Sequence, residues 1–420
     1  MSERLWTPSR EAVARAAITE YTRWLGRGFS GYDELWRWSI EDLDGFWCSI
    51  AEYFGVSLGV EPVPPALAHG AREMPGAQWF PGATVSYPER VFTGRDDAAV
   101  AIRFASESRE GLGSWTWGRL RGETARIAAG LRAHGVGRGD RVCAYMGNLP
   151  ETVAAFLACA SLGAVWSSAA PEFGARAVID RFAQVRPTVL LAVDGYRYGG
   201  REFARDETVA RIAAEIPGAR VVRFGELDGT GWEAGFLGPA GAELSFERVG
   251  FSDPLWILFS SGTTGLPKAI VHSQGGILLE QVKAGHLHID AREGDRVFWF
   301  TTTGWMMWNF LVGILLTPAS IVLFDGNPGY PSLERLWDLA EEAGVTCFGT
   351  SAAFIAACMK AGVRPRAGGR RLTSLRAVGS WPRAAAETCS RVNRWVAPYS
   401  ATALCQCSNS ARIRLSVSPA

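Results

Sequence analysis

The sequence predicts an α/β fold in which parallel-rich sheets are layered with helices. Three observations carry that expectation. From about residue 86, short β-branched runs alternate with amphipathic stretches, the pattern of parallel strands joined by crossover helices. With 48% hydrophobic and 20% charged residues, the 420-residue chain is too apolar for disorder and long enough for one large core or two smaller domains. Its 43 Lys plus Arg against 42 Asp plus Glu leave a formal charge of only +1, so no nucleic acid or anionic membrane is expected as a partner.

The first segment, residues 1–85, is rich in Trp and Phe and includes Trp6, Trp24, Trp36, Trp38 and Trp47 before a Pro-rich stretch at 62–65. Aromatic clustering of this kind predicts an N-terminal cap packed on the core. In the first half of the core, 141–145, 164–168 and 188–193 read as strands, with helices at 150–163 and 175–184. The second half repeats the rhythm. Strands are expected at 256–259, 296–301, 320–324, 345–348 and 375–378, and helices near 276–285, 305–316, 333–343 and 352–361. In the helix at 333–343, Leu336, Trp337, Ala340 and Ala343 share a face with Leu333, and Gly344 is placed to end it. The uncharged stretch 297–324 is long enough on paper to span a bilayer, but Gly304, Asn309 and Pro318 make it strand, helix and strand. No secretory signal is expected at the charged N-terminus, and eight Cys without a CxxC pair suit neither zinc nor a disulfide framework. A reducing, cytoplasmic setting is the expectation.

Lysine is scarce: among the 43 basic residues it occurs only at Lys268, Lys283 and Lys360. One of the three closes the most informative stretch, in which an apolar strand runs through Leu258 and Phe259 into Ser260, Ser261, Gly262, Thr263, Thr264, Gly265, Leu266, Pro267 and Lys268. Gly262 and Gly265 let backbone N–H groups face an anion without a Cβ in the way. The four hydroxyls supply donors and Lys268 a mobile positive charge. The spacing is not GxxxxGK[ST], so a Walker-type NTPase does not follow, and Pro267 argues against a helix opening at the lysine.

This run, with Ile270, Val271, His272 and Ser273 after it, resembles the phosphate loop of the adenylate-forming superfamily, which contains the acyl-CoA synthetases. By itself His272 is expected to be structural, since no acid or nucleophile stands at a telling spacing. A second stretch, from Thr301 to Thr303 through Gly304, Trp305, Met306, Met307, Trp308, Asn309 and Phe310, is similar to the acetoacetate-activating branch of that superfamily. So are Trp166 to Gly174, Asp180 to Phe182, Val193 to Tyr198 and Phe348 to Ser351. The resemblance implies the N-terminal core of an acyl-CoA synthetase that joins acetoacetate to CoA through an acyl-adenylate, using ATP, Mg2+ and CoA. It implies that Ser260, Ser261, Gly262, Thr263, Thr264, Gly265 and Lys268 hold the ATP phosphates, with Lys268 and Thr264 catalytic. Thr303, Gly304, Trp305 and Met306 would form the acyl pocket, and Arg197 and Arg201 would contact CoA phosphates. Ligation of acetate or propionate, or a binding remnant without activity, are the alternatives.

After Ser380 the likeness is expected to stop. Residues 381–420 contain no glycine although the chain has 48, and they hold Cys389, Cys405 and Cys407 among the eight cysteines. Ordinary usage would give roughly three glycines in such a length. The expectation is an incomplete adenylation core over 86–380 followed by a frameshifted tail, without the small C-terminal domain of the similar enzymes. Their magnesium-holding acidic residue, ribose-binding aspartate and assisting lysine would then be missing and the chain impaired.

Overall fold

The computed structural model describes residues 7–68, 76–260, 265–363 and 374–378. Two large sheets form the core. In the first, seven strands run in the order Gly231–Trp232, Arg220–Gly225, Val189–Val193, Arg141–Tyr145, Val165–Ala169, Pro254–Ser260 and Lys268–Ser273. The second has six, in the order Ser374–Val378, Cys347–Ser351, Arg296–Trp299, Ser320–Asp325, Val100–Ser106 and Gly113–Thr116. The inner pairings are parallel, as expected for strands fed by crossover helices. Val189–Val193 is buried at all five positions, which is why it stands out in the sequence as a continuous apolar run.

Three sheet edges are antiparallel instead. Lys268–Ser273, which the sequence pattern does not single out as a strand, pairs with Pro254–Ser260 in a hairpin whose register sets Ser260 opposite Lys268. Its composition is polar at both ends, and only its neighbour makes it extended. Helix boundaries otherwise fall close to expectation. The helix expected at 305–316 runs as Met306–Gly313 and tightens into a turn at Ile314–Leu316. The expected stop at Gly344 is a left-handed cap with φ 64°. Among the described residues no helix is long and apolar enough to cross a membrane, and 297–324 folds as strand, helix and strand.

The N-terminal helices Ala17–Leu25, Tyr32–Glu41 and Leu43–Tyr53 are tied together by ring contacts, including Trp24 to Tyr53 at 5.0 Å and Trp38 to Phe46 at 5.7 Å. Trp6 lies outside the described residues. The cap is fixed to the core where Phe54 stacks on His286 at 4.6 Å and Asp290 Oδ1 accepts the Ala17 N–H at 2.9 Å. Beneath it the centre of the core is aromatic. Phe156 meets Tyr87, Trp166, Trp256 and Trp308 with ring centroids 5.5 to 6.0 Å apart. Replacing Phe156 by Ala removes the shared partner of four fully buried rings, so we expect a loss of about 3–5 kcal/mol in urea unfolding. A loss below about 1 kcal/mol would show that the cluster repacks around the gap.

Candidate functional site

In open parallel sheets the carboxyl ends of the strands collect ligands, because the backbone there opens into loops with unpaired polar groups. Here the carboxyl ends of both sheets meet along one rim. Asn148, just after the strand Arg141–Tyr145 of the first sheet, gives its backbone N–H to Asp325 Oδ1 at 2.7 Å, at the end of a second-sheet strand. The Asn148 amide also donates to the carbonyls of Phe324 at 3.2 Å and Thr301 at 3.4 Å. Gly147 is required beside it, since a Cβ there would fall 2.7 Å from Asp325 Oδ1. Thr303 Oγ1 donates to the Met146 carbonyl at 2.7 Å, and Ser168 Oγ donates to the Thr303 carbonyl at 2.8 Å.

On this rim stands the tip of the Pro254–Ser260 and Lys268–Ser273 hairpin. Ser260 and Lys268 close it as register partners, and Gly265 adopts φ 98°, a conformation that favours glycine. Ser261, Gly262, Thr263 and Thr264 lie outside the described residues. Lys268 is exposed at the mouth of this hairpin. Lys283 pairs with Glu280 at 2.8 Å and lies over Trp47, while Lys360 sits in the last turn of its helix, where a cation faces the negative end of the dipole. His272 Nδ1 accepts the Trp256 indole N–H at 2.9 Å, and burial holds its pKa below the ordinary imidazole value. That tie makes it a packing residue of the hairpin, as its sequence context suggests.

The segment expected to take the acyl chain follows the second-sheet strand Arg296–Trp299. Thr303 is buried and its hydroxyl proton is committed to Met146, so it braces the segment. Gly304 is held against the first sheet, where a Cβ would meet Phe173 at 2.9 Å and the Ala170 nitrogen at 3.3 Å. Trp305 and Met306 are 38% and 40% exposed, open at the rim. Arg197 and Arg201 stand on the hairpin Gly195–Tyr198 and Arg201–Ala204. The Arg197 guanidinium bonds Glu202 Oε1, and Arg201 lies over the Phe203 ring at 5.7 Å.

Sequence reasoning passes over the acidic residues that hold this rim. Glu107 accepts three backbone N–H groups, from Gly199 at 3.0 Å, Gly200 at 2.7 Å and Asn327 at 2.6 Å, and so pins the arginine hairpin to the second sheet. Arg109 bridges Glu151 and the buried Glu226. Desolvation outweighs that bridge and pushes the Glu226 carboxyl up to about 7. Asp325 keeps a partly exposed edge, yet desolvation in the seam, and then the neighbouring Glu172, raise it to about 7 as well. The available signal is positional: Glu107, Glu226 and Asp325 each stand at or just past the end of a strand.

Two outcomes follow from this geometry. Glu107→Ala should speed amide hydrogen exchange at Gly199 and Gly200 by about tenfold or more, the scale of a lost charge-assisted bond, while Glu107→Gln should retain part of the protection. Unchanged exchange in Glu107→Ala would show that the hairpin holds itself. For Asp325, a folded pKa above the unfolded value means that the native state binds more protons between about pH 4 and 7, so this group's contribution to stability falls as pH rises through that window. His286, held down to about 4, works in the opposite direction, which makes the comparison one between variant and unaltered chain. Asp325→Asn should therefore gain stability relative to the unaltered chain as pH is raised from 5 to 8, read by urea unfolding. A difference that is flat or falls with pH would contradict the raised carboxyl.

The chain is similar to known proteins over most of its length. Residues 89–406 match the family described as AMP-binding enzyme, past Ser380, and residues 32–90 match the acetyl-coenzyme A synthetase N-terminus. The acetoacetyl-coenzyme A synthetase of Rhizobium meliloti is 41% identical over 377 residues, covering 86% of this chain and 57% of that protein. The acetoacetyl-CoA synthetase of Xenopus tropicalis is 34% identical over 382 residues, covering 86% of this chain and 56% of its own length. Among solved structures, an acetoacetyl-CoA synthetase from Streptomyces lividans superposes with a TM-score of 0.86 at 46% identity, over 94% of this chain and 64% of that one. The chain thus spans little more than half the length of these curated relatives. Since the family match takes in both sheets and every element of the rim, the chain belongs to the AMP-binding enzymes.

Proposed function

We propose that this rim serves ATP-dependent ligation of acetoacetate to CoA through an acyl-adenylate. The observation that supports it is that the phosphate hairpin, the acyl segment and the arginine hairpin share one rim, in a chain whose relatives are named acetoacetyl-CoA synthetase. A carboxylate resists attack by a thiol because it is anionic and lacks a good leaving group. In the first step a carboxylate oxygen of acetoacetate attacks the α-phosphorus of ATP and pyrophosphate leaves. In the second, the CoA sulfur, having given up its proton, attacks the acyl carbon, and the bond to AMP breaks. The first step is charge management. Lys268 and the hairpin donors would lower the repulsion between carboxylate and polyphosphate and steady the departing pyrophosphate.

Magnesium is implied by the resemblance, but the described residues contain no group of three or more His, Cys, Asp or Glu that could hold a metal ion. No step is assigned to it. Gly304, Trp305 and Met306 would receive the acyl chain, braced by Thr303 from beneath, and Arg197 and Arg201 would be recruited to CoA phosphates from their present contacts with Glu202 and Phe203. A cytoplasmic setting is part of the proposal, supported by the buried thiols of Cys48, Cys143, Cys159 and Cys358. For residues 381–420 the composition supports a shifted frame, tested by sequencing across the Gly379 codon. A downstream frame that restores the family pattern is expected, and its absence in every frame would refute the shift.

Replacing Lys268 by Ala should weaken ATP binding on the order of tenfold, the effect of losing one charge-assisted contact, measured by titration calorimetry. Equal affinity in the two proteins would remove Lys268 from the phosphate site. The acid is tested by acid-dependent exchange of pyrophosphate into ATP, in the chain extended through any restored frame. The expected outcome is a higher kcat/KM for acetoacetate than for acetate or propionate, and equal ratios would overturn the choice of acid.

A further inference from the structure

Among the described residues, two side-chain amides have both their oxygen and their nitrogen buried without a hydrogen-bond partner, Gln274 and Asn309. A buried amide left unpaired is costly, and each such group in a folded protein calls for an explanation. Gln274 follows Ser273, which pairs with Pro254 at the end of the hairpin remote from the rim. Asn309 is different. It lies on the helix Met306–Gly313, which begins at the rim, and it is only 3% exposed. Residues three and four apart share a helix face, so Asn309 stands beneath Trp305 and Met306, about 5 Å deeper along the axis.

The glutamine that reaches the Asn309 backbone is satisfied without the Asn309 side chain. Gln281 Nε2 donates to the Asn309 backbone carbonyl at 2.8 Å, and Gln281 Oε1 accepts the Tyr87 hydroxyl at 2.6 Å. Its chain neighbours make ring contacts, Trp308 with Trp166 and Phe156, and Phe310 with Trp299, while the Trp308 indole N–H is, like the amide, buried without a partner. An amide so placed, one turn below an open acyl segment, offers an N–H donor to the far end of a bound acid.

We propose that Asn309 determines which acid is accepted, its amide N–H donating to the C3 ketone oxygen of acetoacetate. The assignment rests on the short-acid reading of the rim and deepens it. With the carboxylate turned toward the phosphate hairpin, the rest of the acid runs down the Trp305 and Asn309 face, and the ketone is the one polar group that it brings there. Acetate, propionate and butyrate bring none, so with them the amide stays unpaired, and a site built to bond a polar group discriminates against ligands that lack it.

The probes are acetoacetate and butyrate, which differs by a methylene in place of the carbonyl, titrated into the 420-residue chain with ATP present and followed by ligand-observed NMR. The unaltered chain should bind acetoacetate about tenfold more tightly than butyrate, the worth of one buried hydrogen bond. Asn309→Leu, similar in size but without the amide, should abolish the preference, while Asn309→Ser, a smaller donor, should keep part of it. Equal affinity for the two acids in the unaltered chain overturns the ketone contact without using any variant, and so does a preference that survives in Asn309→Leu. If ATP binds and neither acid does, the short-acid reading of the rim fails and this assignment fails with it. If both acids bind without preference, the ketone contact alone fails.

Discussion

The rim depends on one polar seam, the bonds that Asn148 makes across the two sheets. Its backbone N–H and its amide reach Asp325, Phe324 and Thr301, residues 153 to 177 positions away in sequence. Parallel sheets are stiff within themselves because their ladders satisfy the backbone, but nothing in a ladder fixes one sheet against another. Asn148, Thr303 and Ser168 supply that fixation at the ends of the strands, where backbone carbonyls remain free to accept. Gly147 allows the approach, since any side chain there would collide with the Asp325 carboxyl.

The charges around the seam divide into two kinds. Glu107 is supplied with three N–H donors and serves as an anchor, holding the arginine hairpin from outside its own sheet. Glu226 and Asp325 are under-supplied relative to their desolvation and are held up to about 7. A carboxyl poised there changes charge near neutrality, beside strands whose ends are expected to meet polyphosphate. The arginine hairpin itself rests in internal contacts, Arg197 with Glu202 and Arg201 over Phe203, so its guanidinium groups are orientated but not deeply buried.

Much of the candidate site was legible because its residue types are unusual where they stand. One of three lysines in an arginine-rich chain, at the end of a hydroxyl and glycine run, marks the hairpin proposed for phosphate. The segment proposed for the acyl chain was legible as a strand that gives way to Thr, Gly and Trp. Glu107, Asn148 and Asp325 were not, because single polar residues after strands are common, and only their partners, 92 to 220 residues distant, distinguish them. Asn309 was hidden for the opposite reason. In sequence it is a polar interruption in an apolar helix, and its meaning lies in what it fails to touch.

By itself the sequence determined many of the core strands and helices, since burial on both faces writes a continuous apolar run and helical burial writes a 3.6-residue period, but it passed over Val100–Ser106, Trp117–Ala133 and Arg220–Gly225. The Val189–Val193 strand and the Gly344 stop are examples that needed nothing beyond local pattern. Tertiary structure alone decided that Lys268–Ser273 is a strand, that Trp305 is open while Asn309 is closed, and that two sheets share a rim. The physical reason is range: periodicity records which face of an element is buried, but a hydrogen bond between residues 177 apart leaves no period for a sequence to display.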